Sequence, residues 1–203
     1  MSEHVRSPND RGYEMRKRAE DVADTRLRIV EAAAHLHGTI GPAATTITAI
    51  AGAAGVTRLT VYRHFADDAS LFAACSQLWA SRQEFPDTND WVIPEDPVER
   101  VRVALTDLYR FYHQAEAMLT NVHRDSAAVP VELREANAAE DARRRDLLLA
   151  AFPAKGAHRR RLRAVLAHVM SFSTWRSLCV ENALSDRDAV AAMVTLVSAL
   201  TTS

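Results

Sequence analysis

The chain reads as all-α, in two parts, a short N-terminal group of helices followed by a longer helical remainder. Three observations carry that reading. Apolar residues recur at the three- and four-residue spacing of a helix face along most of the chain, and no stretch alternates convincingly as a half-buried strand would. Breakers are scarce, with 6 Gly and 7 Pro in 203 residues, while Ala, Leu, Arg and Glu recur. Hydrophobic residues make up 48%, enough to build a packed core and too many for a disordered chain.

The elements follow in order. Residues 1 to about 22 are polar and charged, with Ser7-Pro8-Asn9-Asp10 and Arg11-Gly12 as breakers, and are expected to form a flexible arm that turns helical near Arg16-Lys17-Arg18. Asp24 or Thr25 is expected to cap the first clear helix, whose apolar stripe is Leu27, Val30, Ala33 and Ala34. Gly38 and Gly41-Pro42 stop it. Thr45-Thr46 offer a cap for a short helix from Ile47 to Ala54, Gly55 breaks it, and a second short helix runs from Thr57 to about Phe65. Asp67 or Asp68 caps a helix through Leu71, Cys75, Leu78 and Trp79. A loop bracketed by Phe85-Pro86 and Pro94-Glu95-Asp96-Pro97 marks the domain boundary. Beyond it the pattern predicts a helix from Pro97 to Gln114, a break near Ala115 and a short helix with Met118, Leu119 and Val122. Further helices are expected over 131–151, over 157–182, and from Ser185 or Asp186 through Leu200.

The segment from Thr46 to Phe65 is the most informative. Two helices of about eight residues meet at the turn Ala53-Ala54-Gly55-Val56. A helix-turn-helix needs a small residue for close approach, a glycine for the strained turn and an apolar plug, which Ala51, Gly55 and Val56 supply. Ile47, Ile50, Val61 and Phe65 are placed to face a core. The second helix then presents Thr57, Arg58, Thr60, Tyr62 and His64, donors suited to phosphate oxygens and base edges in a major groove. Arg58 and Arg63 lie in a stretch without an acid between Thr39 and Ala66. On spacing alone the same segment is also an ordinary helical hairpin with a polar face.

Those residues resemble the TetR family of transcription regulators. The matching runs are Arg28-Ile29-Val30-Glu31-Ala32-Ala33, Gly41, Thr46-Ile47-Thr48-Ala49-Ile50-Ala51, Ala54-Gly55-Val56-Thr57, Val61-Tyr62-Arg63-His64-Phe65 and Leu71, which together span about residues 26 to 72. The resemblance implies a three-helix helix-turn-helix DNA-binding domain over 23–66, a connecting helix over 67–85, and a helical ligand-binding and dimerisation domain over 86–203. It implies a phosphate-binding cap at Thr46 and recognition-helix contacts from Thr57, Arg58, Thr60, Tyr62 and His64, with Arg58 and Thr60 nearest the base edges. Three positions depart from the family pattern. Leu59 stands where Gly or Ala is common, and either touches a thymine methyl or is simply tolerated. Asp68 replaces a common phosphate-binding Lys, and His37 replaces a usual Phe as a half-buried structural histidine.

In the C-terminal half, Trp79, Phe111, His113, Met118, Phe172, Trp175 and Arg176 form a candidate lining for a small apolar or aromatic effector, with His113 or Arg176 as polar anchor; plain core packing is the alternative for each. Leu162, Val165, Val169, Val190, Met193, Val194 and Val197 on the last two helices form a candidate homodimer surface, because a terminal helix apolar on more than one face needs cover. A two-fold dimer would read a near-palindromic double-stranded operator with recognition helices at least ~34 Å apart.

Charge and cysteines bound the remaining possibilities. Net charge is -1, so DNA affinity must come from a local patch. Arg143-Arg144-Arg145 and Arg159-Arg160-Arg161 read as solvated, salt-bridged faces. Cys75 and Cys179 read as free thiols in a reducing cytoplasm, and no apolar run approaches the ~20 residues of a membrane span. His113, His123, Asp125 and His168 lack any metal-site or hydrolase spacing, so no cofactor, metal or catalytic group is expected. A DNA-binding regulator without a ligand, or an activator under a partner protein's control, stays open beside the ligand-released repressor.

Overall fold

A computed structural model describes residues 8–201. Residues 1–7 of the expected arm lie outside them. No strand occurs among the described residues, and the chain divides into two compact units, one ending at Arg82 and the other beginning at Gln83.

The first unit contains α1 (Pro8–Thr39), α2 (Ile47–Ala54), α3 (Arg58–His64) and α4 (Asp68–Ser81). α2 and α4 both pack on α1, around Ile29, Val30, Ala33, Ile50, Ala51, Val61, Phe65, Leu71 and Cys75. α1 begins well before the expected cap. Thr25 is interior: its hydroxyl donates back to the Asp21 carbonyl at 2.8 Å instead of capping. The cause lies in residues 13–24, which hold no Gly or Pro and many strong helix formers, so nothing local ends the helix. The helix expected as a connector belongs to this unit, anchored by a reciprocal capping box between Asp67 and Ser70.

The second unit contains α5 (Thr88–Trp91), α6 (Pro97–Arg124), α7 (Val131–Ala150), α8 (Gly156–Val169), α9 (Phe172–Trp175), which continues as a π-helical turn over Arg176–Glu181, and α10 (Asp186–Thr201). α10 packs on α6 and α8, and α7 packs on α8. The break expected near Ala115 is absent. Ala115 is buried inside the unbroken α6, whose Gln114-Ala115-Glu116-Ala117 are all helix formers. The loop before α6 instead holds a turn of helix that docks Trp91 fully buried, its indole N–H donating to Asp107 Oδ2 at 3.0 Å.

The helix expected over 157–182 is interrupted at Met170-Ser171. Ser171 starts α9 by accepting from the Thr174 amide at 3.2 Å. The Tyr109 hydroxyl donates to the Val169 carbonyl at 2.8 Å, and the Tyr112 hydroxyl to the Met170 carbonyl at 2.7 Å. Both tyrosines sit on α6 and are buried, so burial pushes both phenols up and keeps them as donors. Past the π turn, Ala183 adopts φ 55°, a left-handed conformation that costs a non-glycine residue about 1 kcal/mol.

A buried carbonyl stripped of its donor costs about 1–3 kcal/mol. Tyr109→Phe is therefore expected to lower stability by that amount in urea unfolding of the full chain, while Tyr62→Phe, at an exposed hydroxyl, leaves the midpoint unchanged. A Tyr109→Phe midpoint equal to wild type would mean the break does not depend on this bond.

Candidate nucleic-acid interface

The turn between α2 and α3 is built by local rules. Thr46 caps α2, its hydroxyl accepting from the Ala49 amide at 3.1 Å. Gly55 ends the helix at φ 65°, ψ 38°, and its neighbour Val56 donates back to the Ala51 carbonyl at 2.9 Å. Thr57 then caps α3 by accepting from the Thr60 amide at 3.1 Å. Arg28 on α1 reaches the Ala54 carbonyl at 3.2 Å and fastens the end of α2 to the first helix. Arg26 lies over the Phe65 ring at 4.5 Å and holds the far end of α3 by a cation–π contact. α3 is thus a short helix set at a fixed pose by contacts at both ends.

This pose decides which side chains face outward. Arg58 and Arg63 are exposed, Leu59 is 73% exposed and Tyr62 47% exposed. Thr60 is different. It is half-buried, and its hydroxyl lies 2.9 Å from that of Thr57, so both hydroxyls are partly engaged in the cap. His64 is half-buried, and desolvation together with the Arg63 and Arg26 charges holds its ring below the ordinary histidine range. Thr46 is exposed at the start of α2. The six expected contact residues therefore fall on α3 and the caps of α2 and α3. Arg63, absent from that set, joins them; its place in an acid-free run was the available signal.

Asp67 caps α4, and Asp68 is exposed in its first turn, where an acid favours the helix dipole. His37 is buried rather than half-buried. Its Nδ1 lies 3.4 Å from the Cys75 sulfur, and its ring lies 4.6 Å from that of Phe72. Burial pushes the Cys75 thiol up to about 11.

The candidate effector residues separate. In the second unit Phe111, Phe172 and Trp175 are buried and joined through Tyr112, with ring centroids 5.9 Å (Phe111–Tyr112), 5.5 Å (Tyr112–Phe172) and 5.5 Å (Phe172–Trp175). Met118 is half-buried on the same α6. His113 is exposed, with its ring 6.2 Å from Trp175, and Arg176 pairs with Glu181 at 2.6 Å. Trp79 belongs to the first unit, half-buried on α4. Of the candidate dimer residues, Leu162, Val169, Val190, Val194 and Val197 are buried within one chain, and Val165 and Met193 are half-buried. The apolar periodicity of the last helices is thus largely absorbed by packing on α6 and on each other. Arg143, Arg144 and Arg145 pair with Glu140, Asp141 and Asp146; the pairing is as expected but the solvation is not, since only Arg143 is exposed and the Arg144 and Arg145 side chains are 15% and 17% exposed.

The first unit is a helix-turn-helix domain with a cationic, hydroxyl-bearing outer helix, the architecture of a DNA-binding protein. Residues 29–75 match the family model "Bacterial regulatory proteins, tetR family". The matched segment is thus a DNA-binding helix-turn-helix of the kind that the tetR family of regulators carries. Among solved structures, a Clostridium perfringens protein named as a fatty acid metabolism regulator is similar at a TM-score of 0.56 with 17% identity, over 84% of this chain and 96% of that one, a likeness of fold. A search of the curated proteins gives no match. Among the described residues no helix is long and apolar enough to cross a membrane.

Burial holds the His37 ring down at about 4, against an ordinary 6.5. Between those values the unfolded chain binds a proton that the folded chain refuses, so stability present above pH 6.5 is lost as pH falls. The loss is expected to reach on the order of 2–3 kcal/mol by pH 4.5. Urea midpoints of the wild type and of His37→Phe, taken at pH 7 and 4.5, check this. The variant should lose distinctly less on acidification, and equal losses would remove His37 as the cause.

Proposed function

We propose that this chain is a TetR-family transcription regulator, a repressor that binds a near-palindromic operator as a homodimer in the cytoplasm and leaves it when a small apolar or aromatic effector occupies the second unit. The observation that supports the DNA part is the rigidly capped α3, which carries Arg58, Leu59, Tyr62 and Arg63 outward with no carboxylate among them. Arg58 is assigned to a base edge, where a bidentate guanidinium reads guanine. Tyr62, Thr46 and His64 are assigned to phosphates, and Thr57 to the same backbone through the face of its hydroxyl not used in the cap. Thr60, half-buried and engaged with Thr57, is a weaker base reader than its neighbour Leu59, whose exposed methyl groups suit a thymine methyl.

A second subunit would meet what α10 and the π turn leave uncovered. Val180, Leu184 and Leu196 are 36–42% exposed, whereas most of the apolar positions singled out from periodicity are already inside. Release follows if the effector binds one of two poses of the chain more tightly than the other; a coupling of about 1–3 kcal/mol weakens DNA roughly 5- to 150-fold. One observation favours the reading without an effector in the aromatic region: the rings of Phe111, Tyr112, Phe172 and Trp175 fill one another's space.

Operators selected from random duplexes by the full-length protein test the reading. Binding should be tight, salt-sensitive and confined to an inverted repeat. Arg58→Ala is expected to cost about 1–3 kcal/mol and relax preference at one base pair, and Tyr62→Ala to weaken all sequences alike. Leu59→Ala should lower affinity for a thymine-containing site but not for the same site with uracil, which lacks the methyl. Weak binding, equal for all DNA and indifferent to these substitutions, would overturn the proposal.

A further inference from the structure

The second unit carries a groove of about 630 Å³ between α6 and α10, within the size range of small-molecule sites. Its α6 wall comes from residues four apart, Arg102, Thr106 and Arg110, with His113 and Gln114 beyond; its α10 wall comes from Arg187, Val190 and Ala191. Arg102 meets Glu99 at 3.1 Å, and Arg110 meets Asp107 at 2.8 Å and Glu84 at 3.4 Å. The Arg102–Glu99 and Arg110–Glu84 pairs are solvent-exposed, hold weakly and can re-pair, whereas Asp107 is more buried and also accepts from the Trp91 indole. Arg187 has no ion-pair partner among the described residues. The single acid in the lining, Asp186, is already committed. Its Oδ1 accepts from the Trp175 indole N–H at 2.9 Å, and its Oδ2 faces His113 Nδ1 at 3.4 Å. Among the lining residues themselves the groove combines an apolar surface at Val190 and Ala191 with three guanidinium groups and one carboxylate.

We infer that this groove is a binding site for an amphipathic monoanion, a carboxylate on an apolar body, and that this anion is the effector. The inference rests on the effector-released reading above and moves the effector from the packed aromatic cluster to the groove beside it. The carboxylate is held by guanidinium groups of Arg102, Arg110 and Arg187, and the apolar body lies on Val190, Ala191 and the arginine stems. Occupancy is felt inside the unit through Asp186. That residue begins α10, lines the groove and holds the indole of Trp175, which is 1% exposed and packs on Phe172 and Tyr112. Tyr112 in turn holds the Met170 carbonyl at the break between α8 and α9. An anion that draws on His113 or Arg187 changes the field at Asp186, and with it the hydrogen bond to Trp175.

The experiment uses the full-length protein with two carboxylates, decanoate and 2-naphthoate, each beside its neutral amide. Calorimetry reads affinity, and the indole N–H resonance of Trp175, assigned by Trp175→Phe, reads the coupling. At least one carboxylate is expected to bind ten-fold or more tightly than its amide and to shift the Trp175 resonance. Arg187→Gln combined with Arg102→Gln, both at exposed side chains, should remove that preference while leaving the helical circular dichroism intact. Carboxylates that bind no better than amides, or whose binding survives the double substitution, would overturn the site. Operator affinity separates the two levels. An arginine-dependent carboxylate that leaves operator affinity unchanged keeps the anion site but ends the effector role, and one that releases operator regardless of Arg187 and Arg102 places the effector elsewhere.

Discussion

A helix leaves its last carbonyls and first amides without partners, and each buried end must find them elsewhere. That constraint organises both units. In the first, Gly55 bends far enough for the end of α2 to be closed by Val56, and Arg28 supplies a guanidinium to the Ala54 carbonyl from 26 residues away. In the second, the carbonyls at the end of α8 receive hydroxyls from Tyr109 and Tyr112, some 60 residues earlier in the chain. The recognition helix is short and exposed, so its pose depends on those terminal bonds more than on its own propensity. The kink after α8 likewise exists because α6 presents two phenols at the right height.

This difference in range explains what could be read from the residues alone. The α2–turn–α3 segment was readable because its caps are local: a threonine before each helix and a glycine between them speak within a few positions. The start of α1 was not. Asp24 and Thr25 have the chemistry of a cap, yet Thr25 turns its hydroxyl back onto Asp21, the stretch over 13–24 holds no breaker, and the helix runs on through Gly12 to Pro8. The break at Met170-Ser171 has no glycine or proline to announce it, and its partners lie on another helix. Trp91 sits among prolines and acids that read as loop, but a single indole hydrogen bond to Asp107 and full burial make a helical turn there. The last helices carry apolar stripes, but which side of them meets another element is a tertiary fact that periodicity does not contain. The row Arg102, Thr106, Arg110 drew no reading from the sequence, since it acquires meaning only with α10 beside it.

The polar surface is distributed unevenly between the two units. On α3, Arg58 and Arg63 have no ion-pair partner among the described residues, as suits a surface that faces a polyanion. On α7 the arginines are matched by carboxylates one to four residues away and contribute solubility. The groove on α6 and α10 lies between these extremes, with some guanidinium groups paired and Arg187 without an ion-pair partner among the described residues. Counting basic residues would not separate the three surfaces; the placement of the acids does.

The two cysteines have a practical consequence. Cys75 is buried beside His37, and Cys179 is half-buried on the π turn, where desolvation and then Asp186 push its thiol up to about 12. At neutral pH both are protonated and slow to react, since the thiolate is the nucleophile. A third cysteine introduced on the open face of α3 would stand alone as a fast-reacting thiol, so the native chain already serves as a quiet background for attaching a spin label or dye and measuring, in solution, whether two copies of α3 come within a fixed distance of each other.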